Sequence, residues 1–173
     1  MPTTRAAAFR MIGSAIGIAI LVAALWPYWP DIFRRAGDIS VHAPNWALWD
    51  RVSWIVKLHV VAALAALAIG TIILLQKKGS GLHKTLGWSW VIAMAVTAVS
   101  SLWITGLNGS FWSIIHLLSG WTIIALPMAI WAIRNRKVDA HRSAMTGMFV
   151  GGLLVAGALT FLPGRLMFET FFG

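Results

Sequence analysis

Between Ser53 and Gln76 the chain runs for six turns of apolar sequence interrupted only by Lys57, His59 and Thr71. A segment of that length and apolarity has one stable form, a helix whose main-chain groups bond within the segment. In hydrocarbon no water would satisfy them otherwise. Comparable runs recur at about residues 11–29, 82–104, 111–133 and 140–162. Charged residues make up only 11% of the chain against 59% hydrophobic, whereas a soluble domain carries about 25% charged. The reading is a single all-α domain over residues 1–173, a polytopic membrane helical bundle with five transmembrane helices.

The connections are short and turn-forming: Lys77-Lys78-Gly79-Ser80-Gly81, Gly106-Leu107-Asn108-Gly109-Ser110 and Arg134-Asn135-Arg136-Lys137-Val138-Asp139. Short loops make neighbouring helices antiparallel. Residues 31–52 are polar and proline-broken, with Trp46 and Trp49 beside Asp50 and Arg51, and predict an amphipathic segment lying on the outer surface. Arg5 and Arg10 precede the first run as in a signal peptide, but no small-residue cleavage site precedes Trp26-Pro27-Tyr28-Trp29-Pro30, so this run is read as a retained span.

Charge sets the expected orientation. Arg5, Arg10, Lys77, Lys78, Lys84, Arg134, Arg136, Lys137 and Arg142 fall at one end of the bundle with Asp139 alone to offset them. Arg34, Arg35, Arg51, Lys57 and Arg165 fall at the other, mixed with Asp31, Asp38, Asp50 and Glu169. The positive-inside rule places the first end, with the amino terminus, in the cytoplasm and the carboxyl terminus outside, in a bacterial inner membrane. The net charge of +9 is thus membrane topology rather than affinity for nucleic acid. Cysteine is absent, which removes disulfides and thiolate chemistry. No carboxylate pair, nucleophile motif or phosphate loop points to hydrolysis.

Four histidines carry the functional reading. His59 and His116 lie about 8–9 Å in from the outer ends of their helices, while His83 and His141 stand in the first turns of helices entering from the cytoplasmic end. One pair per face, on alternate helices, suits axial ligation of two b haems in a four-helix core. Ala62, Ala63, Ala66 and Gly70 share the face of His59. Ser113, Ser119 and Gly120 share that of His116; Gly87, Trp90, Met94, Thr97 and Ser101 that of His83; and Ala144, Met145, Met148 and Gly152 that of His141. Small residues there leave room for a flat macrocycle or simply let helices approach. Arg142 and Lys84 are placed to meet inner haem propionates. Ser80 and Asp139 are expected helix caps, and Pro127 an expected kink that opens space at mid-membrane. His42, in the outer segment, belongs to neither pair.

The pattern His59 … Gln76 … Leu82-His83-Lys84-x-x-Gly87, with His141-Arg142-Ser143-Ala144-Met145, resembles the uncharacterised bacterial membrane family labelled domain of unknown function 2306, over about residues 55–160. Ala63 stands where that pattern expects glycine, and His116 is not part of it. The resemblance implies fold more than activity. In plan, the four histidines also resemble the cytochrome b561 superfamily, in which two b haems sit near opposite faces of a four-helix core. That likeness implies a transmembrane electron-transfer protein taking electrons from a quinol, an ascorbate-like reductant or a partner redox protein. Two other readings stay open: a cofactor-free structural or assembly subunit of a membrane complex, and a histidine-lined metal or proton pathway.

Overall fold

A computed structural model describes Trp26 and residues 29–37, 39–104 and 114–173, with side chains left undescribed at 31, 32, 35, 36, 114 and 115. The expected first span at 11–29 lies outside the described residues apart from Trp26 and Trp29, as does the loop between the third and fourth runs. The described residues form helices and contain no strand.

Two short helices come first, α1 (Trp29–Ala36) and α2 (Ala47–Asp50). Residues 31–52, expected as an outer amphipathic segment, hold most of α1 and all of α2. Gly37 and Pro44 in the intervening stretch oppose a continuous helix. Along α1, Trp29 and Phe33 stack one turn apart, ring centroids 5.4 Å apart.

Four long helices follow: α3 (Trp54–Leu75), α4 (Gly81–Ser101), α5 (Ile114–Arg134) and α6 (Val138–Leu159). Each packs on the next, and the middle of α6 closes the ring against α3. Helices α3, α5 (from His116) and α6 are long and apolar enough to cross a membrane. Helix α4 is long enough but less apolar, because His83, Lys84, Thr85, Ser89, Thr97, Ser100 and Ser101 fall on it. Its buried residues are Trp90, Met94, Thr97, Ala98, Ser100 and Ser101. Thr97, Ser100 and Ser101 thus face protein, while Lys84, Thr85 and Ser89 are exposed. Outward, Val61, Leu64, Ile92, Ile124 and Met128 are exposed, far more apolar surface than water tolerates on a monomer.

The ends of the helices are built as their sequences dictate. The Ser80 hydroxyl accepts the His83 N–H at 3.1 Å and caps α4 as expected. Asp139 does not cap α6; Lys137 occupies that position and Asp139 lies in the first turn, where its charge still favours the helix dipole. At the end of α3 the Lys78 ammonium donates to the carbonyls of Ile73, Leu74 and Gln76, which the helix would otherwise leave unbonded. Arg136 ends α5 in the left-handed region (φ 58°). There the Lys137 N–H reaches the Ala132 carbonyl at 2.9 Å and the Arg136 N–H that of Ile133 at 3.1 Å, a Schellman closure.

The core lies at mid-bundle, where Ala66, Trp90, Met94, Ala129, Met148 and Phe149 pack together. Gly70 makes this possible. A Cβ there would stand 2.6 Å from the Phe149 ring and 2.7 Å from Trp90 Nε1. The small stripe of α3 therefore serves close packing at this level, with aromatic rings filling the space. Phe149 belongs to a π-helical stretch, Met148–Val155, inside α6. Pro127 lies within α5, beside an open apolar groove lined by Ala95, Ala98, Val99, Thr122, Leu126 and Pro127.

Candidate functional site

The register of the α3–α4 hairpin places the histidines. Trp90 meets Gly70 at mid-bundle, and His59 meets Thr97 and Ser100 one layer on. His59 Nδ1 lies 3.0 Å from the Thr97 carbonyl and 3.1 Å from Ser100 Oγ. A carbonyl only accepts, so Nδ1 carries the proton and Nε2 keeps the lone pair.

His116 is buried on α5. One turn on, Ser119 is bonded by the Ser101 hydroxyl, which brings this part of α5 to the same end of α4 that His59 reaches. His59 and His116 thus share a layer with the buried hydroxyls of Thr97, Ser100, Ser101, Ser119 and Thr122. Most of these hydroxyls also donate back to their own helix, Thr97 to Ala93, Ser101 to Ala98 and Thr122 to Leu118. That satisfies them away from water. Ser100 and Thr122 are the members that face-sharing alone did not pick out; their signal was hydroxyl spacing along a helix otherwise apolar.

The second layer forms at the opposite end. His83 stands in the first turn of α4 and His141 in that of α6. His141 Nδ1 donates across to the Ala129 carbonyl of α5 at 3.0 Å, so this ring too presents Nε2. His83 Nδ1 and Gln76 Nε2 are buried and have no hydrogen-bond partner among the described residues. Lys84 and Arg142, each one residue beyond a histidine, are exposed at this end. Gln76 was read only as part of a family pattern; a lone amide at a helix end gives little sign that it turns inward.

No group of three or more His, Cys, Asp or Glu side chains that could hold a bare metal ion occurs among the described residues. Each layer offers two histidines. Beside two of them there is room: among the described residues nothing lies within 4 Å of where a Cβ would stand on Gly87 or Gly120, each one turn after a histidine.

Residues 56–171 match a protein family described as predicted membrane protein (DUF2306). The chain belongs to that family. The match runs from the first turn of α3 past the end of α6, hence over all four histidines of the two layers, while His42 lies outside it. No curated protein and no solved structure matches this DUF2306 chain. The family places the chain in a membrane, in agreement with the three helices among the described residues that are long and apolar enough to cross one.

Proposed function

We propose that this DUF2306 protein is a b-type membrane cytochrome that moves electrons between the two faces of the bilayer through two haems, one held by His59 and His116, the other by His83 and His141. The observation that carries the reading is the pair of bonds from His59 Nδ1 to the Thr97 carbonyl and from His141 Nδ1 to the Ala129 carbonyl. A ligating histidine is ordinarily oriented in this way, its second nitrogen donating to a main-chain oxygen. Two histidines per layer are too few for a bare ion, but they complete the coordination of an iron whose other four ligands come from a porphyrin. The open space at Gly87 and Gly120 suits a flat group lying close to the main chain.

A bound haem would supply one-electron chemistry. The chain's part is to hold the imidazoles, keep their tautomers and exclude water with the Trp90, Met94 and Phe149 layer between the two sites. Lys84 and Arg142 would meet propionates at the inner layer. The electron donor is a quinol, an ascorbate-like reductant or a partner redox protein. In this reading helices α3 to α6 form the haem core, the run at residues 11–29 supplies a fifth span, and α4 completes the crossings despite its lower apolarity. The basic end, with Lys77, Lys78, Lys84, Arg134, Arg136, Lys137 and Arg142, faces the cytoplasm of a bacterial inner membrane.

A second reading has its own support. The His59 bonds tie α3 to α4 and the Ser101–Ser119 bond ties α4 to α5, as expected of a cofactor-free structural or assembly subunit whose polar side chains hold helices together. A reduced-minus-oxidised absorption spectrum of the purified protein, with a pyridine haemochrome count, decides between them. About two haems per chain with a sharp b-type band is the expected result. A colourless protein from haem-supplemented cells would leave the subunit reading standing.

A further inference from the structure

The groove beside Pro127 lies between two helices that lead toward the basic end of the bundle. The buried Ala98 and Leu126 form its floor, and the exposed Val99 and Ile123 its rims. Thr122 is the one polar residue lining it, and its hydroxyl donates to the Leu118 carbonyl at 2.9 Å. The groove therefore offers a ligand hydrocarbon contact alone. Its volume is about 270 Å³. Spread over the two turns from Thr122 to Ile130, about 12 Å, that volume makes a slot roughly 5 Å across. A single hydrocarbon chain fits such a slot at carbon–carbon contacts of about 4 Å, whereas a helix, about 10–12 Å in diameter, does not.

Both walls of the slot continue to positive charge. At about 100° per residue, Ile123, Pro127, Ile130 and Arg134 fall within about 60° of one another on α5, and Lys84, Trp88, Ala95 and Val99 do so on α4. Lys84, Trp88 and Arg134 are all exposed. The two helices run antiparallel and are tied near their other ends by the Ser101–Ser119 bond. From that bond Lys84 lies about 26 Å along α4 and Arg134 about 23 Å along α5, so the two cations reach nearly one depth, one on each wall. Asp139 is the only acidic residue at that end. Trp88, between Lys84 and the slot, is the residue type that settles at headgroup level.

We propose that the α4–α5 groove binds one anionic phospholipid, with an acyl chain lying in the slot beside Pro127 and the headgroup phosphate held between Lys84 and Arg134. Charge selects an acidic lipid over a zwitterionic one, since basic clefts between spanning helices recognise acidic headgroups. Width selects a lipid over a helix, whether of a second copy or of this chain. Lys84 is shared with the haem reading and Arg134 is not. The inference rests on the groove and on the membrane family, so it stands whether or not the layers hold haem.

The test is native mass spectrometry of the full chain released from detergent, titrated with phosphatidylglycerol and with phosphatidylcholine of the same acyl chains. One phosphatidylglycerol should bind about tenfold more tightly than phosphatidylcholine, and Arg134→Gln should weaken it about fivefold without changing the haem content. Arg136→Gln, past the end of α5, should leave the affinity unchanged. A check without variants uses phosphatidylglycerol carrying a diazirine at mid-chain, irradiated with the wild type in nanodiscs, which should label residues 95–99 and 122–130. Equal affinity for the two lipids, no loss in Arg134→Gln, an equal loss in Arg136→Gln, or labelling spread over the outward faces of α3 and α6 would each overturn the site. A lipid-free dimer, or a label on residues 11–29 in place of the groove, would give the slot to a helix and overturn it as well.

Discussion

At the scale of single residues, the four histidines differ in how much the fold has settled their chemistry. His59 and His141 have a tautomer chosen by a neighbouring helix's carbonyl, so replacing either removes a pre-oriented Nε2. In the cytochrome reading, His59→Ala and His141→Ala should each lower the haem count from about two to about one, with His42→Ala unchanged, as measured by pyridine haemochrome. If both single variants kept full haem content, the pairing would be wrong. Gly70 makes a different demand. A methyl there would sit 2.6 Å from the Phe149 ring, and both rings around it are large and packed. Gly70→Ala should therefore cost about 1–3 kcal/mol by overpacking, read as a lower midpoint in denaturant titration. Gly87→Ala, with open space beside it, should be close to neutral in that assay while interfering with a flat ligand.

At the scale of elements, the loops and helix ends were the easiest part to read in the chain. Ser80 before His83 signalled a cap, and the cap is made; Ser80→Ala should destabilise the α3–α4 hairpin by about 1 kcal/mol in thermal unfolding. Asp139 gave the same kind of signal and misled by two positions, because the left-handed turn at Arg136 lets α6 start earlier, after Lys137. That turn holds a non-glycine residue where glycine is cheaper by about 1 kcal/mol, so Arg136→Gly should raise stability modestly. The π-helical stretch of α6 was not legible. Gly151 and Gly152 are compatible with any helix, and what sets the stretch apart is tertiary: Phe149 lies against Gly70, and Gly152 lies beside Met94 and Thr122. The contact of the His42 ring with Gly173 was likewise hidden, since it joins residues 131 positions apart and no periodicity connects them.

At the scale of the whole molecule, apolar runs and short loops made the helical membrane bundle legible, and helical geometry identified the inward faces of α4 and α6, where Trp90, Met94, Thr97, Ser101 and Met148 are indeed buried. The status of α4 was less legible. Its polar residues depress its apolarity: Thr97, Ser100 and Ser101 turn inward and are buried, while Lys84, Thr85 and Ser89 are exposed, and composition does not tell the two sets apart. Orientation follows from the same architecture. The α3–α4 and α5–α6 connections lie at one end and carry the basic excess, so both should face the cytoplasm. The chain has no native cysteine, which makes this directly measurable with a membrane-impermeant maleimide on intact cells. Cysteine placed at Lys77 or Asn135 should stay unlabelled until the membrane is permeabilised, whereas cysteine at Asn45 should label at once. The reverse pattern would invert the assignment, putting the His83–His141 layer outside. Labelling at both ends in intact cells would mean that the helices do not hold one fixed orientation, and an electron path running from outside to inside would then have no meaning for this chain.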